Sequence, residues 1–339
     1  MAHNIESMAY NVQNGVPWHG LGVSLNGAMS VDDVMTAVPE LGRKVHLVPT
    51  FAATPDGEVV QTPDFATWRE GDNYTMASGF SKNFRVEQMV DRLAAIDALL
   101  GEGARYETAM TLNGGRTAVV LLRVDSIAHE VVPGDVVLPY LCVSLDYTGR
   151  RTDMVSYVST RVVCANTESM ARAEAISGTK GATGWFMRHN TQLSERHDDA
   201  LRGFGRIVQA SKVIAAQSAK LAQVSLTEEV WNTALDMVAP VAADAKRTGR
   251  ADGIRDALTE LLDTQKGIEI PGVKGTLWAG LNAVTEYVDH HRSTRAVDGR
   301  TAADARTESL LFGSGSKIKA DVRDMLIGFA NTGRVLVAA

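Results

Sequence analysis

The stretch RYETAMTLNGGRTAVVLLRVD, Arg105 to Asp125, decides the fold. Two strand-like runs flank Asn113-Gly114-Gly115, and such a turn needs positive φ, which these residues accept at little cost. Next, VLPYLCVSLDY and TDMVSYVSTRVVCA flank TGRR and read as a second hairpin. Four neighbouring strands joined by short turns imply an antiparallel sheet rather than a doubly wound one. No Gly-x-Gly-x-x-Gly or P-loop string is present. Upstream, KVHLVPTFAAT, the turn PDG at 55–57 and EVVQT add further strand-like pieces.

Helical periodicity surrounds this block. Ser30 reads as an N-cap with Asp33 three residues on, ahead of Val34, Met35 and Val38. From Phe84 to Leu100, the residues Val86, Met89, Val90, Leu93, Ile96 and Leu100 recur at helical spacing, and Gly101 ends the run. Beyond Asn166 the chain reads as mostly helical. Thr227 caps a helix carrying Val230, Trp231, Ala234, Leu235 and Val238, and Ile254, Leu258, Leu261 and Leu262 mark another. Thr276 opens a third, with Leu277, Leu281, Val284 and Val288 inward and Asn282, Glu286 and His290 outward. Two more are expected near 301–311 and 317–330. GTKGATG at 178–184 and TGRADG at 248–253 read as flexible joints. The expected fold is α+β: an antiparallel sheet of two or more hairpins packed on helices, with a mostly helical C-terminal half. Its expected units are a sheet domain over 1–177 and a helical region over 185–339, packed on one another or separate.

A chain of 339 residues with 45% apolar residues can bury a large core. No uninterrupted apolar window of about 18 residues occurs, so no membrane span is expected. The opening MAHNIESMAYNVQ lacks the basic start and apolar run of a secretory leader. Two cysteines without a Cys-x-x-Cys pair fit a reduced cytosolic protein and suggest neither metal nor redox work. Net charge is −6, which argues against nucleic-acid binding through bulk charge. The distribution is uneven: residues 150–220 hold eleven cations against six anions, a net of +5, whereas residues 1–100 are acidic. An anionic partner would sit on the middle of the chain.

The run STRVVCANTESMARAEA, Ser159 to Ala175, reads as a strand turning into a helix, with Asn166 or Thr167 as N-cap. Alternation sets Val158, Thr160, Val162 and Cys164 on one face and Tyr157, Ser159, Arg161 and Val163 on the other. Cys164 is thus either a small buried thiol or a nucleophile at the helix start, with His189 or His19 as its base. The junction needs no chemistry to explain it. On the opposite face Arg161, with Tyr147, Arg150 and Arg151 at the hairpin tip, forms a set able to grip phosphates and stack a base; ordinary surface arginines are the alternative. WHGLG at 18–22 reads as a turn. His197-Asp198-Asp199 and Asp289-His290-His291 supply at most part of a metal site, because adjacent helical residues diverge by about 100°. FGSGSKIK, Phe312 to Lys319, resembles a helix start with a basic first turn and lacks a Walker A arrangement.

Several strings together carry a family resemblance: MAHNIESMAY with PWHGLG, ARYETAMTLNGGR, RVVCANT, WFMRHN, and GTLWAGLNAVTEYVDHHR followed by SGSKIK. In order and spacing they resemble the phage/plasmid-like family built on domain of unknown function 932, over nearly the whole chain. The sequence departs from the family's pattern at SLDYTGR and at FSKNFRVEQ. The resemblance implies a mobile-element protein of phage or plasmid DNA metabolism in the host cytoplasm, and it brings no catalytic residues. Arg161, Val162, Val163, Cys164, Asn166 and Thr167 are its most recognisable core.

The expected activity is single-stranded DNA binding or annealing, as in recombination, by a homo-oligomer without cofactor or metal. Arg150, Arg151 and Arg161 would neutralise phosphates, Arg172 and Arg188 extend the track, Tyr147 stack a base, and the helical half supply subunit contacts. The sheet-and-helix plan is similar to that of phage single-strand annealing proteins at the level of fold analogy alone. The alternatives are a structural or host-interaction protein without nucleic-acid binding, and a Cys- or His-dependent enzyme.

Overall fold

The computed structural model describes residues 5–11, 23–25, 30–100, 104–161, 166–169, 184–187, 193–241, 249–293, 309 and 313–335. The larger sheet holds β1 (Ile5–Asn11), β2 (Val23–Leu25), β6 (Ala104–Leu112), β7 (Thr117–Val124), β8 (His129–Glu130), β9 (Val136–Asp146), β10 (Asp153–Arg161), β11 (Asn166–Ser169) and β12 (Gly184–Met187). Its order is β11-β10-β9-β7-β6-β1-β2, with β12 also on β10 and β8 also on β9. Every pairing is antiparallel except that of β1 with β2. The expected α+β meander is therefore present. Asn113, Gly114 and Gly115 all take positive φ, of 59°, 68° and 75°. A second sheet, ordered β3-β4-β5, joins β3 (Val45–Ala53), β4 (Val59–Arg69) and β5 (Tyr74–Phe80).

Both faces of the meander are buried. Ala118, Val120, Leu122, Leu141, Val143, Val155 and Tyr157 share a core with α1 (Val31–Ala37), α2 (Pro39–Gly42) and α3 (Met89–Leu100). On the other face Met110, Leu112, Val119, Tyr140, Cys142 and Val158 form a second cluster. Tyr157, expected on a polar face beside Arg161, is 0% exposed because that face lies under the helices. α1 starts with the expected capping box between Ser30 and Asp33. α3, in contrast, starts at Met89 rather than near Phe84. The preceding Gln88 side chain accepts from Val45 N at 3.0 Å and donates to Val45 O at 2.9 Å, so it extends the sheet instead of a helix.

The C-terminal half is mostly helical, with α4 (Leu193–Gln223), α5 (Glu228–Val238), α6 (Gly249–Thr264), α7 (Leu277–Glu286) and α8 (Ser314–Thr332). Thr227 and Thr276 are the N-caps expected. Five expectations need correction or fall away. Residues Asn166–Ser169 form a strand on β10, not a helix start, because the open edge of β10 supplies hydrogen-bond partners that outweigh cap propensity. Residues 249–253 of the supposed joint TGRADG open α6. Asn282 and Glu286 are 3% and 7% exposed, since α7 is enclosed on all sides; Asn282 donates to Trp278 O and Glu286 accepts from Lys266 N. Of the expected helix at 301–311 and the joint at 178–184, only Ser309 and Gly184 are among the described residues.

Two devices tie the halves together. The loop between β8 and β9 reaches into the helical core, where Val131 and Val137 pack with Trp278 and Leu281. Beside them Trp278 Nε1 donates at 2.8 Å to Asp135, which is 0% exposed. α7 then continues into a π turn, Tyr287–His291, which turns Asp289 onto Lys319 of α8 at 2.7 Å. Both side chains are nearly buried, 4% and 1% exposed, so Asp289 is engaged by a lysine. Removing one member of such a pair strands the other charge in the core. Lys319→Met should cost about 3–5 kcal/mol in denaturant unfolding, and adding Asp289→Leu should restore most of that loss.

Candidate nucleic-acid interface

The tip joining β9 to β10 is built by short polar side chains. Asp146 accepts from Thr148 N at 2.9 Å and Thr148 Oγ1 at 2.6 Å, and Thr148 Oγ1 accepts from Arg150 N at 3.3 Å. Asp153 closes the neck by accepting from Asp146 N at 2.8 Å. Gly149 makes the reversal at φ 65°, and a Cβ there would stand 2.7 Å from the Phe80 ring. The tip is therefore docked on β5, not held out in solvent.

Docking consumes the tyrosine. Tyr147 is 7% exposed and packs in the main core, its carbonyl accepting from Thr67 Oγ1 at 2.8 Å. Burial first, then the carboxylates of Asp153 and Glu87, raise its phenol above the ordinary range. The expected stacking role for Tyr147 is overturned: the ring fills the space between the sheets and has no face to offer a base.

Among the described residues, Arg150 and Arg151 share the tip and Arg161 does not. Arg150 is exposed and Arg151 half-buried at the tip. Arg161 ends β10 at its far end, opposite Asn166 and Val137. Eight steps of about 3.4 Å place it roughly 27 Å from Asp153, because a strand runs straight. Its side chain, like all of Arg172 and Arg188, lies outside the described residues, as do His19, Cys164 and His189.

A different set of cations surrounds the tip, one that strand reading passed over. Phe80 stacks on Phe84 with centroids 4.3 Å apart and a 31° tilt. The segment after β5, Ser81-Lys82-Asn83-Phe84-Arg85, exposes Lys82 and Arg85 on either side of half-buried Phe84. Lys82 and Arg150 make no ion pair among the described residues. Cations nearer the core are engaged structurally: Arg116 Nε donates to Met76 O at 2.6 Å, its guanidinium lies 5.3 Å from the Tyr74 ring centre, and Arg69 donates to Asp72. The sequence signal was the interleaving of cation and aromatic in FSKNFR.

Elsewhere polar side chains on the meander pair internally. Arg123 contacts Glu107 and Asp125, each at 2.7 Å, and Tyr140 donates to Glu107 at 3.3 Å. Cys142 is 1% exposed, and burial pushes its thiol up to about 12. No three His, Cys, Asp or Glu side chains among the described residues are gathered as metal ligands. No helix among them is long and apolar enough to cross a membrane.

The family model described as domain of unknown function DUF932 matches residues 77–311, and the chain belongs to that family. No curated protein and no solved structure matches it. The matched span begins within β5 and takes in Phe80, Phe84, the hairpin tip and the Asp135–Trp278 link. The β3–β4 hairpin precedes it.

Two outcomes follow from the tip. Gly149→Ala, strained in φ and crowded by Phe80, should lower stability by more than about 1 kcal/mol in denaturant unfolding. Iodoacetamide should label Cys142 near neutral pH no faster than the protein unfolds, as peptide mass spectrometry would report.

Proposed function

We propose that the chain binds single-stranded nucleic acid, with DNA as the expected form, through the rim around the docked hairpin tip, and that it acts as an oligomer in phage or plasmid DNA metabolism in the host cytoplasm. One observation carries the reading: exposed Lys82 lies between the stacked Phe80 and Phe84 in the chain, and exposed Arg150 follows Gly149, which sits against Phe80; neither cation makes an ion pair among the described residues. Cations that track a backbone beside an aromatic side chain are the usual parts of a single-strand site. Phe84 takes the stacking role first given to Tyr147. Arg161, Arg172 and Arg188 belong to the proposal only as an extension of this track. No catalytic residue, metal or cofactor is part of it.

Phosphate contacts release counterions, so affinity must fall linearly with salt on logarithmic axes, by about 0.7 per contact for a single strand. Fluorescence anisotropy with a labelled oligonucleotide, from about 50 to about 200 mM salt, reads this slope. Lys82→Ala and Arg150→Ala should each weaken binding and lower the slope by about 0.7. Absence of binding at micromolar protein, or an unchanged slope in both variants, overturns the proposal.

A further inference from the structure

The β3–β4 hairpin runs past the body of the molecule. β5 pairs with β4 only from Arg69 to Phe65, whereas β3 and β4 remain paired out to Ala53 and Val59. Beyond Phe65 the hairpin is a two-stranded arm, and every residue from Phe51 to Gln61 is exposed or half-exposed. Two threonines hold it at its root: Thr50 Oγ1 donates to Asp64 O at 2.9 Å and Thr62 Oγ1 to Thr50 O at 3.1 Å.

The inner face of this arm is a core face without a core. Alternation along β3 and β4 starts at Val45, 3% exposed, opposite Arg69, 2% exposed, and passes Thr67, 0% exposed. Past a register shift between Pro49 and Phe51 it emerges as Phe51 opposite Gln61 and Ala53 opposite Val59, with Phe51 59% and Val59 69% exposed. A bare two-stranded hairpin is marginal in water, and large exposed apolar side chains in a row mark a contact surface.

Charge identifies the occupant. The arm from Pro49 to Phe65 carries Asp56, Glu58 and Asp64 and no Lys, Arg or His. Glu58 is exposed at the tip and makes no ion pair among the described residues. At the arm's root Phe65 pairs with Phe80, which touches Gly149, so the rim bearing Lys82 and Arg150 lies where the inner face leaves the body. An arm of a second copy laid antiparallel on this one covers Phe51 and Val59 with their own counterparts. It also brings its acidic tip to this rim, and the same operation repeats in the other direction. Such a contact is isologous and closes at two copies.

We propose that two copies clasp each other by these arms, inner face on inner face, with Glu58 of each set on the Lys82–Arg150 rim of the other. The inference names the contact behind the oligomer in the functional reading and shares Lys82 and Arg150 with it, so a seated Glu58 and a phosphate compete for the same rim. Its readout is the mass of protein free of nucleic acid, so either can fail alone. Sedimentation equilibrium of the full chain at low salt should give a dimer. Phe51→Asp, an exposed position, should weaken association at least about tenfold, the loss expected of an interface anchor. Glu58→Lys and Arg150→Glu should each weaken it, and the two together should restore it. A monomer throughout, or an oligomer indifferent to Phe51→Asp, overturns the proposal. An oligomer weakened by Phe51→Asp but not restored by the charge exchange also overturns it, because the tip then does not meet the rim.

Discussion

A sheet covered on both faces leaves its polar side chains nowhere to go. Val143 and Val119, on opposite sides of the meander, are both 0% exposed. Burying a charge without a partner costs far more than a typical hydrogen bond returns, so each ionisable group on such a sheet must be matched internally. Glu107 is matched by Arg123 and Tyr140, and Asp153 is set against the backbone of Asp146. Charges able to meet an outside partner are thereby driven to the turns and edges. This constraint, more than any motif, explains why the candidate interface lies at a hairpin tip and the segment beside it.

Much of the architecture was legible because local chemistry and tertiary structure agree. Asn113-Gly114-Gly115 demanded a reversal and made one, and Ser30, Thr227 and Thr276 cap helices as their side chains suggest. Other elements are imposed from outside. YTMASGF has weak strand formers at Ser78 and Gly79 and becomes β5 through its pairing with β4. Asn166-Thr167-Glu168-Ser169 reads as a helix start and serves as an edge strand. On α7 the polar residues Asn282 and Glu286 mark an outer face by periodicity, yet backbone groups satisfy them inside. Periodicity records polarity, and polarity equals exposure only where no neighbour supplies a partner.

The site divides in the same way. Arg150 was readable as a surface cation from its turn. Tyr147 was misread because a phenol beside a turn looks free until another sheet docks on it. Arg161 was grouped with the tip by closeness in sequence, although eight residues of strand separate its position from the turn. Phe84 and Arg85 were hidden inside a segment whose apolar spacing imitates a helix, and Lys82 stood just before it in a stretch assigned to no element.

The buried carboxylate of Asp135 also sets an order of events during synthesis. Its indole donor, Trp278, lies 143 residues further along the chain. At ribosomal speeds of about 5–20 residues per second, that gap lasts roughly 7 to 30 seconds. Throughout that interval the meander strands can pair, but the loop that joins them to the helices must stay hydrated. The nascent sheet therefore waits with one end unsealed until the last third of the polypeptide emerges, and a chaperone would meet it there.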